Sequence, residues 1–218
     1  MITRVAIEEL RVSGSIKLRG PLKIISASIT GSLAVDGEVK VDRLSISGSA
    51  KIDGRLVGDE VKVSGSMSVK ASIEASELRV SGSLDVAERI KASFLEVSGS
   101  LKTSFIEANE ALLSGKILAE KITGRKIIVG KKSEVKGTII GCEVEVDKEA
   151  EVERVVSDKV FIRKNAEVNY VEANHVVIER KAEVGELLYV REAVIHEDAK
   201  VYSKRKVETL SEKIECGD

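Results

Sequence analysis

Residues 61–86 read Val61-Lys-Val-Ser-Gly-Ser-Met-Ser-Val-Lys-Ala-Ser-Ile-Glu-Ala-Ser-Glu-Leu78-Arg-Val-Ser-Gly-Ser-Leu-Asp-Val86, and they carry one motif twice, Val-Ser-Gly-Ser from Val63 and again from Val80, 17 residues apart. Between the motifs the apolar residues fall in alternating pairs: Met67 and Val69, Ile73 and Ala75, Leu78 and Val80. A period of two is the signature of strands with one buried face. Three short strands with two inward side chains each fill one repeat, which describes a triangular coil. A helical hairpin needs a unit of more than about 30 residues, and a glycine in every unit costs a helix about 1 kcal/mol relative to alanine. The helical solenoid is excluded.

Outward from this stretch the repeat runs nearly the length of the chain. Gly14, Gly31, Gly48, Gly65, Gly82 and Gly99 follow one another at 17 residues, and Gly115 follows at 16. Two positions before each glycine stands an aliphatic residue, and that series continues after the glycines stop: Val12, Ile29, Ile46, Val63, Val80, Val97, Leu113, Val129, Val146, Ile162, Ile178, Ile195. A second series, six residues on, reads Leu18, Val35, Ile52, Val69, Val86, Thr103, Ala119, Val135, Val152, Val168, Val184, Val201. If successive coils stack, each series is a column in the core. No coil buries its apolar side alone, so stability must come from stacking. The expected fold is all-β, a single-stranded triangular β-helix (β-solenoid) of about 12 coils of 16–17 residues. It spans residues 1–203, with 204–218 a polar C-terminal tail or frayed last coil and no boundary between the halves. The corner glycines suggest a positive φ, which glycine adopts without steric cost. In the second half Lys131, Lys148, Lys164, Arg180 and Glu197 hold that corner, so its turn must have another shape.

Composition agrees and narrows the function. Of 218 residues, 43% are hydrophobic but only 3% aromatic, with no Trp, so the core is Val, Ile, Leu and Ala. Thirty-five Lys and Arg nearly cancel 36 Asp and Glu. That balance offers no electrostatic case for a nucleic-acid partner, and the run Lys204-Arg205-Lys206 is short and lacks interleaved aromatics. The first ten residues include Arg4, Glu8 and Glu9 and no signal-peptide core. No run reaches the 18 or so apolar residues of a membrane helix. Cys142 and Cys216 are too few for a disulfide framework or a four-thiolate metal site and suggest a reducing compartment. A cytoplasmic protein without a membrane segment is expected.

Candidates for chemistry are sparse. His196 follows the core position Ile195 by one residue, while His175 precedes Ile178 by three, so the two sit at different places around the coil. Cys142 lies near His175 in phase but two coils away, roughly 10 Å at the strand spacing, too far to share an ion whose ligands converge at about 2 to 2.3 Å. The corner serines, among them Ser47, Ser64 and Ser81, read as turn chemistry, with a repetitive ligand surface as the weaker reading; no His in these repeats serves them as a base. Carboxylate neighbours such as Glu8 and Glu9, or Asp59 and Glu60, point to opposite sides of a strand. No catalytic centre, cofactor, metal or small-molecule substrate is expected.

The ends carry the remaining information, because a β-solenoid has two open faces of strand edges that promote association. Val5, Ile7, Leu10 and Val12 fall on inward columns of the first coil, and Ala199 and Val201 on those of the last well-patterned one. These six are the candidate polymerisation residues. The segments Leu44-Ser-Ile-Ser-Gly-Ser, Val61-Lys-Val-Ser-Gly-Ser and Leu78-Arg-Val-Ser-Gly-Ser, within repeats from about Val5 to Val201, resemble the bactofilins, the polymer-forming cytoskeletal proteins. The resemblance implies a right-handed triangular β-helix that polymerises end to end without nucleotide, with itself as its partner. A discrete homodimer through two N-terminal faces is the fallback. The competing class is the hexapeptide-repeat acyltransferases, also triangular β-solenoids, whose resemblance implies 18-residue coils, a protruding loop and a catalytic His between subunits. Here the coils are 16 or 17 residues, and no insertion interrupts them.

Overall fold

The computed structural model describes residues 7–214 and 216; these hold nineteen strands, from Ile7–Val12 to Lys200–Lys206, and no helix. Every strand pairing whose register is given is parallel, with partners one coil apart. The chain is a β-solenoid of about 12 turns. It divides after Glu107 into two compact units.

In the first unit each coil holds a short strand and a long one, such as Ser66–Val69 followed by Ile73–Val80. The long strand supplies two sides of the coil. Ile73 and Ala75 are buried, Ser76 and Glu77 turn outward together, and Leu78 and Val80 are buried again. That doubled outward step is the corner; pairing skips Ser76 and resumes at Glu77 within one strand, so two of the three expected strands merge into one. The first column reads Val12, Ile29, Ile46, Val63, Val80, Val97 in direct register. The second reads Leu18, Val35, Ile52, Val69, Val86. Full burial of each such side chain contributes roughly 1.5–3 kcal/mol.

The corner glycines are required for a reason other than the expected one. Positive φ occurs among glycines at Gly37, Gly115 and Gly137, not in the Ser-Gly-Ser corners of the first unit. A Cβ on Gly31, Gly48, Gly65, Gly82 or Gly99 would instead stand 2.0–2.1 Å from the carbonyl oxygen of the glycine one coil below. The corners stack backbone on backbone, and only a residue without a side chain fits. Backbone groups also close them: the N–H groups of Ser64 and Gly65 both donate to Ile46 O, at 2.7 and 3.1 Å, and Ser66 N–H donates to Gly48 O at 2.9 Å. This leaves little for the serine hydroxyls to satisfy; Thr30 adds its own hydroxyl to Val12 O at 3.3 Å.

In the second unit pairing runs round nearly the entire coil, giving one strand of 12–14 residues per turn, from Lys116–Val129 through Glu183–Ile195. The first column continues as Val129, Val146, Ile162, Ile178, Ile195. The remaining corner becomes a four-residue turn. Ala150 N–H donates to Asp147 O at 3.2 Å, Ala166 to Arg163 O at 3.1 Å and Ala182 to Glu179 O at 3.3 Å. The third residue of each turn is left-handed, with φ 61° at Glu149, 58° at Asn165 and 58° at Lys181; Lys132, at 58°, is also left-handed. The alanine that follows points into the core.

One member of the second column is misplaced by spacing alone. Val135 pairs with Ile117, not Ala119, because the register slips between Leu118 and Lys121. Gly137, at φ 115°, lies in the slip, and a Cβ there would fall 1.6 Å from Ala119 O. Ala119 and Glu120 together oppose the single Gly137, a β-bulge that absorbs one residue, and Ala119 stays buried beside the column. The column otherwise continues Val135, Val152, Val168, Val184, Val201.

Candidate assembly surface

At the start of the first unit, Ile7, Leu10 and Val12 pair with Ile24, Ala27 and Ile29. Ile24, Ala27 and Ile29 are buried, whereas Ile7 and Leu10 are only half-buried and Val12 is buried. Val5 lies outside the described residues. The contrast is largest one side further on, where Ile16 is 37% exposed and Leu33, its partner in the next coil, is 4% exposed. Among the described residues, Leu33 is paired with a coil on both sides and Ile16 with a coil on one. Ile16 was not among the sequence candidates, although it shares the inward phase of Leu33, Met67 and Leu84, and that phase was the signal for it.

At the end of the second unit, Lys200–Lys206 pairs with Glu183–Tyr189, and the strand runs through Lys206, beyond residue 203. Val201 and Ala199 are half-buried, while Val184 and Ala182 in the previous coil are buried. Further along the strand, register places Lys204 against the buried Leu187 and Arg205 against Leu188. Glu183 accepts hydrogen bonds from Lys200 Nζ at 2.6 Å and Tyr202 Oη at 3.2 Å. The Lys200 ammonium holds the Glu183 carboxyl below its ordinary range, and Glu183 holds the ammonium above its own. This face is apolar on one side and cationic on another.

The long sides carry charges paired along the stack. Arg79 Nε donates to Glu96 at 3.0 Å, Lys91 pairs with Glu107 at 2.9 Å, and Arg163 bridges Glu145 at 2.6 Å and Glu179 at 2.8 Å. The guanidinium of Arg163 and the Lys164 N–H, which both donate to Glu179, hold its carboxyl below the ordinary range against the opposing effect of burial. Glu134 is likewise held low by Lys136 and Lys116.

The other candidates fall apart geometrically. His175 pairs in register with Glu192, while the His196 ring nitrogen accepts the Asp198 N–H at 3.1 Å, so the two imidazoles occupy different columns. Among the described residues no group of three or more His, Cys, Asp or Glu side chains is placed to hold a metal ion, and no helix is long and apolar enough to cross a membrane. Cys142 and Cys216 form a disulfide across 74 residues of chain, which corrects the expectation of reduced thiols: the fold brings together two cysteines that spacing left apart. No protein-family model, curated protein or solved structure matches this chain.

Proposed function

We propose that this protein is a structural, self-assembling element that polymerises end to end through its terminal coils, in the manner of the bactofilins it resembles, without nucleotide and without catalysis. The observation that carries the reading is the rise in exposure of one column at the first coil, from 4% at Leu33 to 37% at Ile16. A second copy stacked there would cover the apolar side chains and extend the strand ladders at once. Ala199, Val201 and Ile195 offer a smaller apolar area at the other end, flanked by Lys204 and Arg205. The N-terminal contact is therefore the stronger one, and two such contacts close a two-fold dimer unless the C-terminal face also engages. The long sides, laced with paired charges, stay hydrated.

Electron microscopy of the purified protein in the absence of nucleotide tests this reading. Unbranched filaments, or rods of two chains joined at one end, support it. Single chains at all concentrations, or compact trimers of the kind acyltransferases form, contradict it.

A further inference from the structure

One column of the second unit breaks the rule that outward residues are exposed. Ile140, Val156, Glu172 and Leu188 stand in mutual register. Each follows an inward-pointing residue, Ile139, Val155, Val171 or Leu187, so alternation points it out of the coil. Yet Ile140 and Leu188 are 8% exposed, Glu172 2% and Val156 0%.

The C-terminal segment Val207–Cys216 follows this column. Val207 N–H donates to Tyr189 O at 2.9 Å, beside Leu188. The backbone N–H of Ser211 donates to Glu172, and so does its hydroxyl at 2.6 Å. Cys216 is bonded to Cys142, two residues from Ile140, and Glu212 pairs with Lys121 at 3.4 Å, two residues from Thr123 in the coil below Ile140. Within the segment Val207, Leu210 and Ile214 are half-buried, while the other described residues are exposed. A buried carboxylate needs its hydrogen bonds satisfied. Here the wall supplies Tyr170 Oη at 3.0 Å and a distant Arg154 at 3.9 Å, and the segment supplies the rest.

We propose that this column is a binding groove for the segment Val207–Cys216, that the Cys142–Cys216 disulfide locks the segment in its own groove, and that after reduction the groove takes the same segment from a second copy. The structure identifies that occupant, because every contact made within one chain is available, residue for residue, from an identical chain; exchange of an identical element is a low-cost route to association. It would join molecules side by side, independently of contacts at the end coils. A dithiol reductant opens the lock by giving two electrons and two protons to the sulfur–sulfur bond, leaving two protein thiols and an oxidised, cyclic reductant. A low-molecular-weight disulfide closes it: one protein thiolate displaces the first small thiol to form a mixed disulfide, and the second displaces the other.

The test mixes two variants, Cys142→Ser and Cys216→Ser, neither of which forms its own bond. Each is purified, shown by circular dichroism to keep the parent's strand content, and incubated with oxidised glutathione alone and in equimolar mixture. On a non-reducing gel the mixture should yield disulfide-linked dimer at about tenfold the level of either variant alone, with Cys142 joined to Cys216 by peptide mass spectrometry. Equal dimer in the mixture and the single variants, or none in any, overturns the exchange. If either variant does not fold, the parent is reduced and reoxidised at low and high protein concentration. Intermolecular Cys142–Cys216 bonds that increase with concentration support the proposal, and exclusively intramolecular bonds at both overturn it. A protein that exchanges segments but forms no filaments would separate this inference from the end-coil reading.

Discussion

An alanine Cβ placed on Gly65 would stand 2.0 Å from the carbonyl oxygen of Gly48, one coil below. At Gly14, in the first coil, the same Cβ meets nothing within 4 Å. Identical motifs thus carry different constraints, according to whether a coil lies beneath. Gly65→Ala should lower stability by about 1–3 kcal/mol, as overpacking does. Gly14→Ala should stay within about 0.5 kcal/mol of the parent. Denaturant midpoints of the two variants check this, and equal midpoints would show that the corners do not stack backbone on backbone.

Val80 is 1% exposed, with Val63 and Val97 in register on either side. Val80→Asp buries a carboxylate among aliphatic side chains and should cost several kcal/mol. Loss of the cooperative thermal transition, or a steep fall in its midpoint, is the expected result. An unchanged melting curve would remove this column from the core.

The left-handed corner residues of the second unit are a stability reserve. Lys181, exposed and at φ 58°, bears a cost of about 1–2 kcal/mol that glycine avoids. Lys181→Gly should therefore raise the melting temperature, while Asn165→Gly, at the same φ, should raise it less because Asn tolerates this region. Paired thermal melts of the two variants give the comparison.

Glu179 is bound by Arg163 and by the Lys164 amide, which hold its carboxyl below the ordinary range. A carboxyl lowered in the folded state adds stability above its unfolded value, about 4.3, and that stability disappears as pH falls through the folded value. Because the pair is partly exposed, Glu179→Gln should cost only about 0.3–1 kcal/mol at pH 7. The deficit should close as pH drops below about 4. Denaturant titrations at neutral and acid pH measure it, and a deficit that persists in acid would assign the loss to packing.

Most of the fold is legible in the sequence because a stacked coil turns every structural requirement into a column. The series from Val12 to Ile195 needed only an aliphatic residue every 16 or 17 positions, and strand register follows it. Spacing misplaces Ala119, where a bulge at Ala119 and Glu120, opposite Gly137, uncouples spacing from register. It also gave the corner glycines the wrong reason, since close approach between coils and positive φ leave the same residue in a sequence. The half-burial of Ile7, Leu10, Ala199 and Val201 follows from the same inward phase, which the terminal coils repeat. The burial of Glu172 was not legible, since its partner Ser211 lies 39 residues away in a segment outside the repeat. Periodicity says nothing of contacts made by a non-periodic tail.

End-to-end assembly is tested most directly by the solution mass of folded variants with one charge added to an end coil. Ile16 is already exposed, so Ile16→Lys should leave the coils intact while placing an ammonium in the N-terminal contact. Lys51→Glu, on an exposed side of an interior coil, serves as the lateral control. Multi-angle light scattering should give Ile16→Lys the mass of a single chain, or of a pair joined at C-terminal faces, while the parent and Lys51→Glu form the same larger assemblies. A folded Ile16→Lys protein that reaches the parent's mass at the parent's concentration would contradict assembly through the N-terminal coil.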